Sequence, residues 1–216
     1  MDQKKQSTNK IAFYNILSTL LLQGITFFAS PIISRMLGTD NYGIASVYVT
    51  WVSLFATVFG IQTHSTLAVA RNEYPMEEQK KYQSSVLMLS VITYVSFSLL
   101  VLIFINPVSK LIGLQSSIVY LLLLQAFGQY CVTFINVKFT YEFKAKWNLV
   151  LSLCLSISTL GLSIFLISVW DRSSNYWGRI LGQAIPYTFL GLVICLLIIL
   201  SGRCFYSKKY WRFCLP

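Results

Sequence analysis

Six stretches of the chain contain no Asp, Glu, Lys or Arg, and each is long enough to cross a lipid bilayer. They cover residues 11–34, 41–70, 82–109, 111–137, 147–170 and 180–202. A hydrocarbon core about 30 Å thick requires roughly 20 apolar residues in a helix that rises about 1.5 Å per residue. The composition agrees, because 56% of the residues are hydrophobic and only 11% are charged. The sequence therefore predicts an all-α, polytopic membrane protein with six transmembrane helices.

The loops between these stretches are too short to bury a core of their own, so we expect one helical bundle without a separate soluble domain. The approximate spans are 11–35, 42–67, 84–107, 117–138, 147–170 and 180–202. Residues 1–10 are then an N-terminal tail. Residues 203–216 form a segment after the sixth span, and its final Leu-Pro resembles the first turn of a seventh helix.

The basic residues are distributed unequally between the two ends of the predicted helices. One side holds thirteen of them: Lys4, Lys5, Lys10, Arg71, Lys80, Lys81, Lys138, Lys144, Lys146, Arg203, Lys208, Lys209 and Arg212. The other side holds four: Arg35, Lys110, Arg172 and Arg179. Because translocation selects against Lys and Arg, the basic side and both chain termini should be cytoplasmic in a plasma membrane. The net charge of +10 then reflects topology and anionic membrane lipids, and we expect no nucleic-acid partner.

The acidic residues and cysteines argue against catalysis and metal binding. All seven acidic residues lie outside the charge-free stretches, whereas a membrane hydrolase or transferase needs a carboxylate or histidine near its substrate. Glu142 and the group Glu73, Glu77 and Glu78 are interpreted as salt-bridge partners of the adjacent lysines. The five cysteines form no CxxC pair. We therefore predict no catalytic residue, metal, disulfide or cofactor.

Polar side chains recur at helical spacing within four spans, and lipid offers them no hydrogen-bond partner. They are Asn15, Thr19, Gln23, Thr26 and Ser30 in span one; Ser46, Thr50, Ser53, Thr57, Gly60 and His64 in span two; Gln125, Gln129, Thr133 and Asn136 in span four; and Ser152, Ser156, Thr159 and Ser163 in span five. The all-hydroxyl stripe of span five favours close helix packing. For spans one, two and four, both a hydrated cavity and close packing remain open, and the amides are candidate substrate-binding residues.

Four basic residues stand near span ends: Arg35, Arg71, Lys138 and Arg179. Such side chains either extend to the lipid headgroups or point into the bundle. Inward-facing arginines would suit an anionic ligand, because a guanidinium group binds phosphate in a bidentate manner. An anionic, lipid-linked substrate therefore fits this chain better than a cationic one.

Two segments resemble the bacterial polysaccharide and O-antigen flippases of the multidrug/oligosaccharidyl-lipid/polysaccharide superfamily. The first runs from Pro31-Ile-Ile-Ser-Arg35-Met-Leu-Gly38 through Thr-Asp-Asn-Tyr42-Gly43, with Gly60-Ile-Gln further on. The second is Tyr176-Trp-Gly-Arg179-Ile-Leu-Gly182, followed later by Tyr210-Trp-Arg-Phe-Cys-Leu-Pro216. The resemblance implies a two-lobed fold of six helices per lobe that moves undecaprenyl-diphosphate-linked oligosaccharides between leaflets without covalent chemistry.

The resemblance also implies roles for individual residues. Arg35 and Arg179, together with Arg71 and the amides Asn15, Gln23, Gln125, Gln129 and Asn136, are candidates for substrate binding. Pro31, Gly38, Tyr42 and Gly43 are expected to serve backbone geometry. Polysaccharide polymerases and glycosyltransferases are the implied protein partners.

Members of this family usually have twelve or fourteen spans, so the resemblance implies that six spans are an amino-terminal half. We then expect a carboxy-terminal half, or a second copy of the chain, to complete the transporter. Two alternatives belong to other classes of protein. One is a membrane polymerase or glycosyltransferase, which would need an essential loop acid or arginine pair. The other is a noncatalytic membrane subunit of polysaccharide assembly.

The charge asymmetry predicts the side of the membrane on which each loop lies. Reporter domains fused after residue 75 or residue 143 should be active only as cytoplasmic fusions, because basic residues flank both positions. A fusion after Lys110 should give the opposite result. Paired phosphatase and fluorescent-protein fusions measure this directly, and an external location for residue 75 or 143 would contradict the topology.

Overall fold

A computed structural model describes residues 27–214 and six earlier positions, namely 13, 16, 17, 20, 24 and 25. In this part of the chain every regular element is helical. The α-helices are α1 Phe27–Leu37, α2 Thr39–Phe59, α3 Leu67–Glu73, α4 Met76–Ile103, α5 Ile105–Ile112, α6 Ser116–Tyr141, α7 Ala145–Val169, α8 Tyr176–Gly202 and α9 Lys208–Cys214, and a short 3-10 helix, Thr63–Thr66, precedes α3.

Five of these helices, α2, α4, α6, α7 and α8, are long and apolar enough to cross a membrane. The chain is therefore a multi-pass membrane protein in the part that the structure describes. The predicted first span, 11–35, contains most of α1 and also residues outside the described part. Pro186 lies inside α8, where its ring removes one backbone hydrogen bond of that helix.

The chain divides into two compact units, and the first comprises residues 1–46 and 139–186. Its apolar core consists of Ala29, Ile33 and Leu37 of α1, Ala45 of α2 and Ile167 of α7. Gly38 joins α1 to α2 with φ of 75° and donates its backbone N–H to the Ser34 carbonyl at 3.0 Å. Glycine suits this position because a side chain would strain a left-handed backbone.

In the first unit, α7 and α8 pack closely along the hydroxyl stripe of span five. Thr159 and Ser163 are buried, and a Cβ at Gly182 would overlap the backbone of Ser163. A Cβ at Gly178 would in the same way meet the backbone of Leu166. The predicted close packing is thus confirmed at Ser163, because small residues let the two backbones approach.

The second unit comprises residues 47–138 and 187–216, and α6 is its most buried helix. Side chains of α6 that are almost fully enclosed include Val119, Leu122 and Phe134. The helix crosses α8 at two glycines: a Cβ at Gly128 would overlap the Tyr187 backbone, and a Cβ at Gly191 would overlap Gly128. Both positions therefore require the absence of a side chain.

Helix α9 packs against α4 in the second unit. The Trp211 Nε1–H donates to the backbone carbonyl and to the hydroxyl of Ser85, each at 3.1 Å. Tyr210 donates its hydroxyl to a Glu78 carboxylate oxygen at 3.3 Å. The segment after the sixth predicted span is thus attached to the start of α4 by specific polar contacts.

The glycine crossing yields a stability prediction. Gly128→Ala should lower the free energy of unfolding by about 1–3 kcal/mol, because the added methyl group overpacks the α6–α8 contact. Gly161→Ala is the matched control, since a Cβ there meets no atom within 4 Å and alanine favours a helix. Thermal denaturation in detergent measures both, and equal midpoints for the two variants would contradict the close crossing.

Candidate functional site

The polar side chains of the first unit include Arg179. It lies in the second turn of α8, and its guanidinium Nη1–H donates to the Ser163 hydroxyl of α7 at 3.1 Å. The Tyr42 hydroxyl lies close enough to interact with it electrostatically. Tyr42 is in turn 3.3 Å from the Ser30 hydroxyl of α1. Arg179 is therefore held in position by the Ser163 hydroxyl, and its other N–H groups are suited to an anion.

Two asparagines join the family-like segments in the same unit. Asn41 donates its side-chain N–H to the Asn175 amide oxygen at 2.8 Å and to the Arg172 carbonyl at 3.0 Å. Asn175 donates to the Met36 carbonyl at 3.0 Å and is only 3% exposed. The amides thus satisfy a free carbonyl at the end of α1 and anchor the loop before α8. Residues 31–43 and the loop before residues 176–182 are thus joined in one cluster of the first unit.

The other residues of the first segment lie around this cluster. Arg35 is exposed on α1, and Pro31 and Gly43 are also exposed. The Pro31 carbonyl accepts the Ser34 hydroxyl at 3.0 Å. Arg35 and Arg179 therefore belong to the same unit but differ in environment: one side chain is open to its surroundings and the other is half-buried.

The second unit carries a polar surface on α2 and α6, formed by Thr50, Ser53, Thr57, Gln129 and Thr133. The three α2 residues are exposed, and the two α6 residues are half-buried. Gln129 donates its side-chain N–H to the Ser53 hydroxyl at 3.3 Å, which joins the two helices. Thr57 and Thr133 donate to carbonyls four residues earlier, each at 2.9 Å.

This polar surface is unfavourable against lipid, because hydrocarbon offers no hydrogen-bond partner. Its side chains present both donors and acceptors, which is the chemistry that binds sugar hydroxyls. Asn136 lies half-buried two turns after Gln129 on α6. The surface therefore favours water, a polar ligand or another protein surface next to α2 and α6.

Gln125 differs from the other predicted amides because it lies inside the second unit. It is 2% exposed, and its amide oxygen accepts the Tyr48 hydroxyl at 2.7 Å. Arg71 is half-buried on α3, and its backbone carbonyl accepts the Gln79 side-chain N–H at 3.3 Å. Asn15 and Gln23 lie outside the described residues.

The described residues contain no group of three or more His, Cys, Asp or Glu side chains that could hold a metal ion. Among the acidic residues, Glu142 pairs with Lys144 at 2.7 Å, as predicted for an adjacent lysine. Glu78 instead pairs with Lys209 of α9 at 3.3 Å. Lys209 is distant from Glu78 in sequence, and the packing of α9 on α4 brings the two side chains together. The chemistry of the polar regions described above is therefore that of amides, hydroxyls and guanidinium groups.

Sequence reasoning missed Asn41, Asn175 and Tyr48 as organising residues. Asn41 and Asn175 stand within or beside the family-like segments, and this proximity was the signal that they pair. Nothing in the periodicity of span two distinguished Tyr48, since it lies on the apolar side of α2. Only its distance to Gln125 shows that a tyrosine hydroxyl satisfies a buried amide.

Comparison with known proteins identifies one family. A sequence model described as "Polysaccharide biosynthesis protein" matches residues 9–215. No curated protein and no solved structure matches the chain. The family match covers both units and all five long apolar helices.

The asparagine cluster yields a second stability prediction. Asn175→Ala should lower the free energy of unfolding by about 1–3 kcal/mol, because the Met36 carbonyl and the Asn41 amide lose a buried partner. Asn41→Ala combined with Asn175→Ala should cost less than the sum of the single changes. Asn106→Ala, at an exposed position of α5, is the control. Thermal denaturation measures all four proteins, and additive effects would contradict the pairing.

Proposed function

The chain belongs to the polysaccharide biosynthesis protein family, which includes the O-antigen flippases, and from this membership we propose that it is a flippase. Its substrate is an undecaprenyl-diphosphate-linked oligosaccharide repeat unit. It moves this unit from the inner to the outer leaflet of a bacterial plasma membrane, for surface polysaccharide or O-antigen synthesis. The family match over residues 9–215 is the observation that carries the proposal.

The exposed polar surface of α2 and α6 supports a transport role. Ser53, Thr57 and Gln129 lie on a long apolar helix pair, and their remaining hydrogen-bonding capacity suits water or a polar ligand better than lipid. A water-filled passage gives these side chains hydrogen-bond partners. In the proposed mechanism they exchange water for sugar hydroxyls as the repeat unit passes, and no covalent bond changes.

The arginines have a different role in this proposal. Arg179 is positioned by Ser163, so less conformational freedom is lost when it binds a phosphate oxygen. Arg35, on the exposed side of α1, provides a second positive charge in the same unit. Together they would neutralise part of the diphosphate charge while the lipid tail remains among the hydrocarbon chains.

Transport also requires a surface opposite the polar one. We therefore propose six spans in this chain, cytoplasmic chain termini, and a second lobe that encloses the passage. That lobe is either a carboxy-terminal half or another copy of the chain. Polymerases and glycosyltransferases that make and use the repeat unit are the proposed partners in the membrane.

Arginine substitutions test the proposed function. In a strain that lacks the chromosomal gene, the complete protein should restore surface polysaccharide. Arg179→Ala should reduce export by about tenfold or more at equal membrane levels, because a charged hydrogen bond contributes roughly 1.5–3 kcal/mol. Arg179→Lys should retain part of the export, since the charge remains. Arg35→Ala should show a smaller reduction, because that side chain is more exposed.

Two controls separate binding from folding. Lys110→Ala removes an exposed cation outside the polar regions and should leave export unchanged. Ser163→Ala keeps the guanidinium but removes its hydrogen bond, so it should reduce export less than Arg179→Ala. Full export by both Arg35→Ala and Arg179→Ala would remove these residues from the site. No restoration by the unsubstituted protein, even with its second lobe, would contradict the flippase assignment and favour a scaffold.

A further inference from the structure

The charge-free stretch 41–70 is not one continuous helix. Helix α2 ends at Phe59, and the chain resumes as the 3-10 helix Thr63–Thr66 followed by α3. Between them, Ile61 and Gln62 have φ of 48° and 44°. A β-branched residue is an outlier at positive φ, because its side chain crowds the backbone. The break at residues 60–62 is therefore strained, and neighbouring residues must hold it.

Three buried hydroxyl groups lie beside the break. The Thr63 hydroxyl is 2.5 Å from those of Ser90 and Tyr130, and Tyr130 donates to Ser90 at 2.7 Å. Ser90 donates in turn to the Val86 carbonyl at 3.1 Å. In each of the two pairs that involve Thr63, either hydroxyl can be the donor. We call Thr63, Ser90 and Tyr130 the hydroxyl triangle; it connects the break to α4 and α6.

Further contacts stabilise the break between α2 and the 3-10 helix. The Phe59 carbonyl, left free where α2 ends, accepts the Thr93 hydroxyl of α4 at 3.2 Å. The Tyr130 ring lies against Gly60, where any Cβ would overlap it. The Thr66 hydroxyl donates to the Thr63 carbonyl at 2.7 Å and accepts the Tyr82 hydroxyl at the same distance. The Thr93 and Thr66 hydroxyls thus replace hydrogen bonds that the Phe59 and Thr63 carbonyls would accept within a continuous helix.

We propose that this break is a two-state hinge, with the hydroxyl triangle as its latch. In the latched state, residues 60–62 remain unwound. When the triangle opens, Ile61 and Gln62 return to the right-handed region, and α2 continues through residue 66 into α3. Strain favours the continuous state and the buried hydrogen bonds favour the broken one, so the two states can lie close in free energy. The proposal concerns the motion of α2 and is independent of which substrate is carried.

Two substitutions should shift the hinge in opposite directions. Tyr130→Phe removes one hydroxyl of the triangle but keeps the ring over Gly60, so it should increase the ratio of continuous to broken protein by about fivefold. Ile61→Gly should decrease that ratio, because glycine adopts positive φ freely and disfavours the helical alternative.

A distance measurement across the break distinguishes the two states. Spin labels are introduced as unnatural amino acids at Val58 and Val69, two exposed positions of the second unit, in the complete protein in nanodiscs. The two positions are eleven residues apart. In a continuous helix their backbones would be separated by about 17 Å, since the rise is about 1.5 Å per residue. Pulsed electron resonance should show this separation enriched by Tyr130→Phe and depleted by Ile61→Gly.

Matched controls isolate the effect of the hinge. Tyr120→Phe alters an exposed tyrosine of α6, and Ile92→Gly alters an exposed isoleucine of α4; neither should change the distance distribution. A single distribution that neither Tyr130→Phe nor Ile61→Gly shifts would overturn the hinge and leave a rigid kink. The measurement needs no substrate, so it decides this proposal even if the transport assay fails.

Discussion

The absence of hydrogen-bond partners in hydrocarbon is the constraint on which this structure depends. It requires long apolar segments to satisfy their backbone groups within helices, and five helices of the described chain do so. Where a helix ends or breaks, side chains replace the missing bonds. Asn175 donates to the Met36 carbonyl at the end of α1, and Thr93 donates to the Phe59 carbonyl at the end of α2. The polar side chains at these two helix ends thus serve to satisfy backbone carbonyls that the helix leaves without a partner.

The same constraint separates two kinds of polar residue. Gln125 and Tyr48 satisfy each other inside the second unit, so their polarity is used in packing. Ser53 and Thr57 lie exposed on α2, although lipid is a poor neighbour for them. Such exposed groups are meaningful because they imply water, a ligand or another protein surface. This difference in burial is the structural basis of the proposed transport role.

In the family-like segments, a residue that carries the family resemblance can have a structural role rather than a substrate-binding one. Asn41 and Asn175 join residues 31–43 to the loop before residues 176–182, and Gly38 supplies a left-handed turn between α1 and α2. These contacts give several residues of the family-like segments a structural role that needs no ligand. Arg179 is the exception, because a guanidinium group that donates to one hydroxyl has further N–H donors for an anion. Within these segments, the proposed ligand-binding role therefore falls mainly on Arg179, with Arg35 as a second positive charge.

The sequence alone determined that the chain is helical and spans the membrane, because charge-free length and hydropathy need no knowledge of neighbours. It also indicated the polar stripes, since a helical period of 3.6 residues places them on one face. It could not distinguish packing from exposure: the stripe of span five is buried at Ser163, whereas that of α2 is exposed. The break at Ile61 was equally hidden, because the charge-free stretch 41–70 runs through it without interruption. Tertiary structure decided both, since they depend on which side chains from distant helices meet.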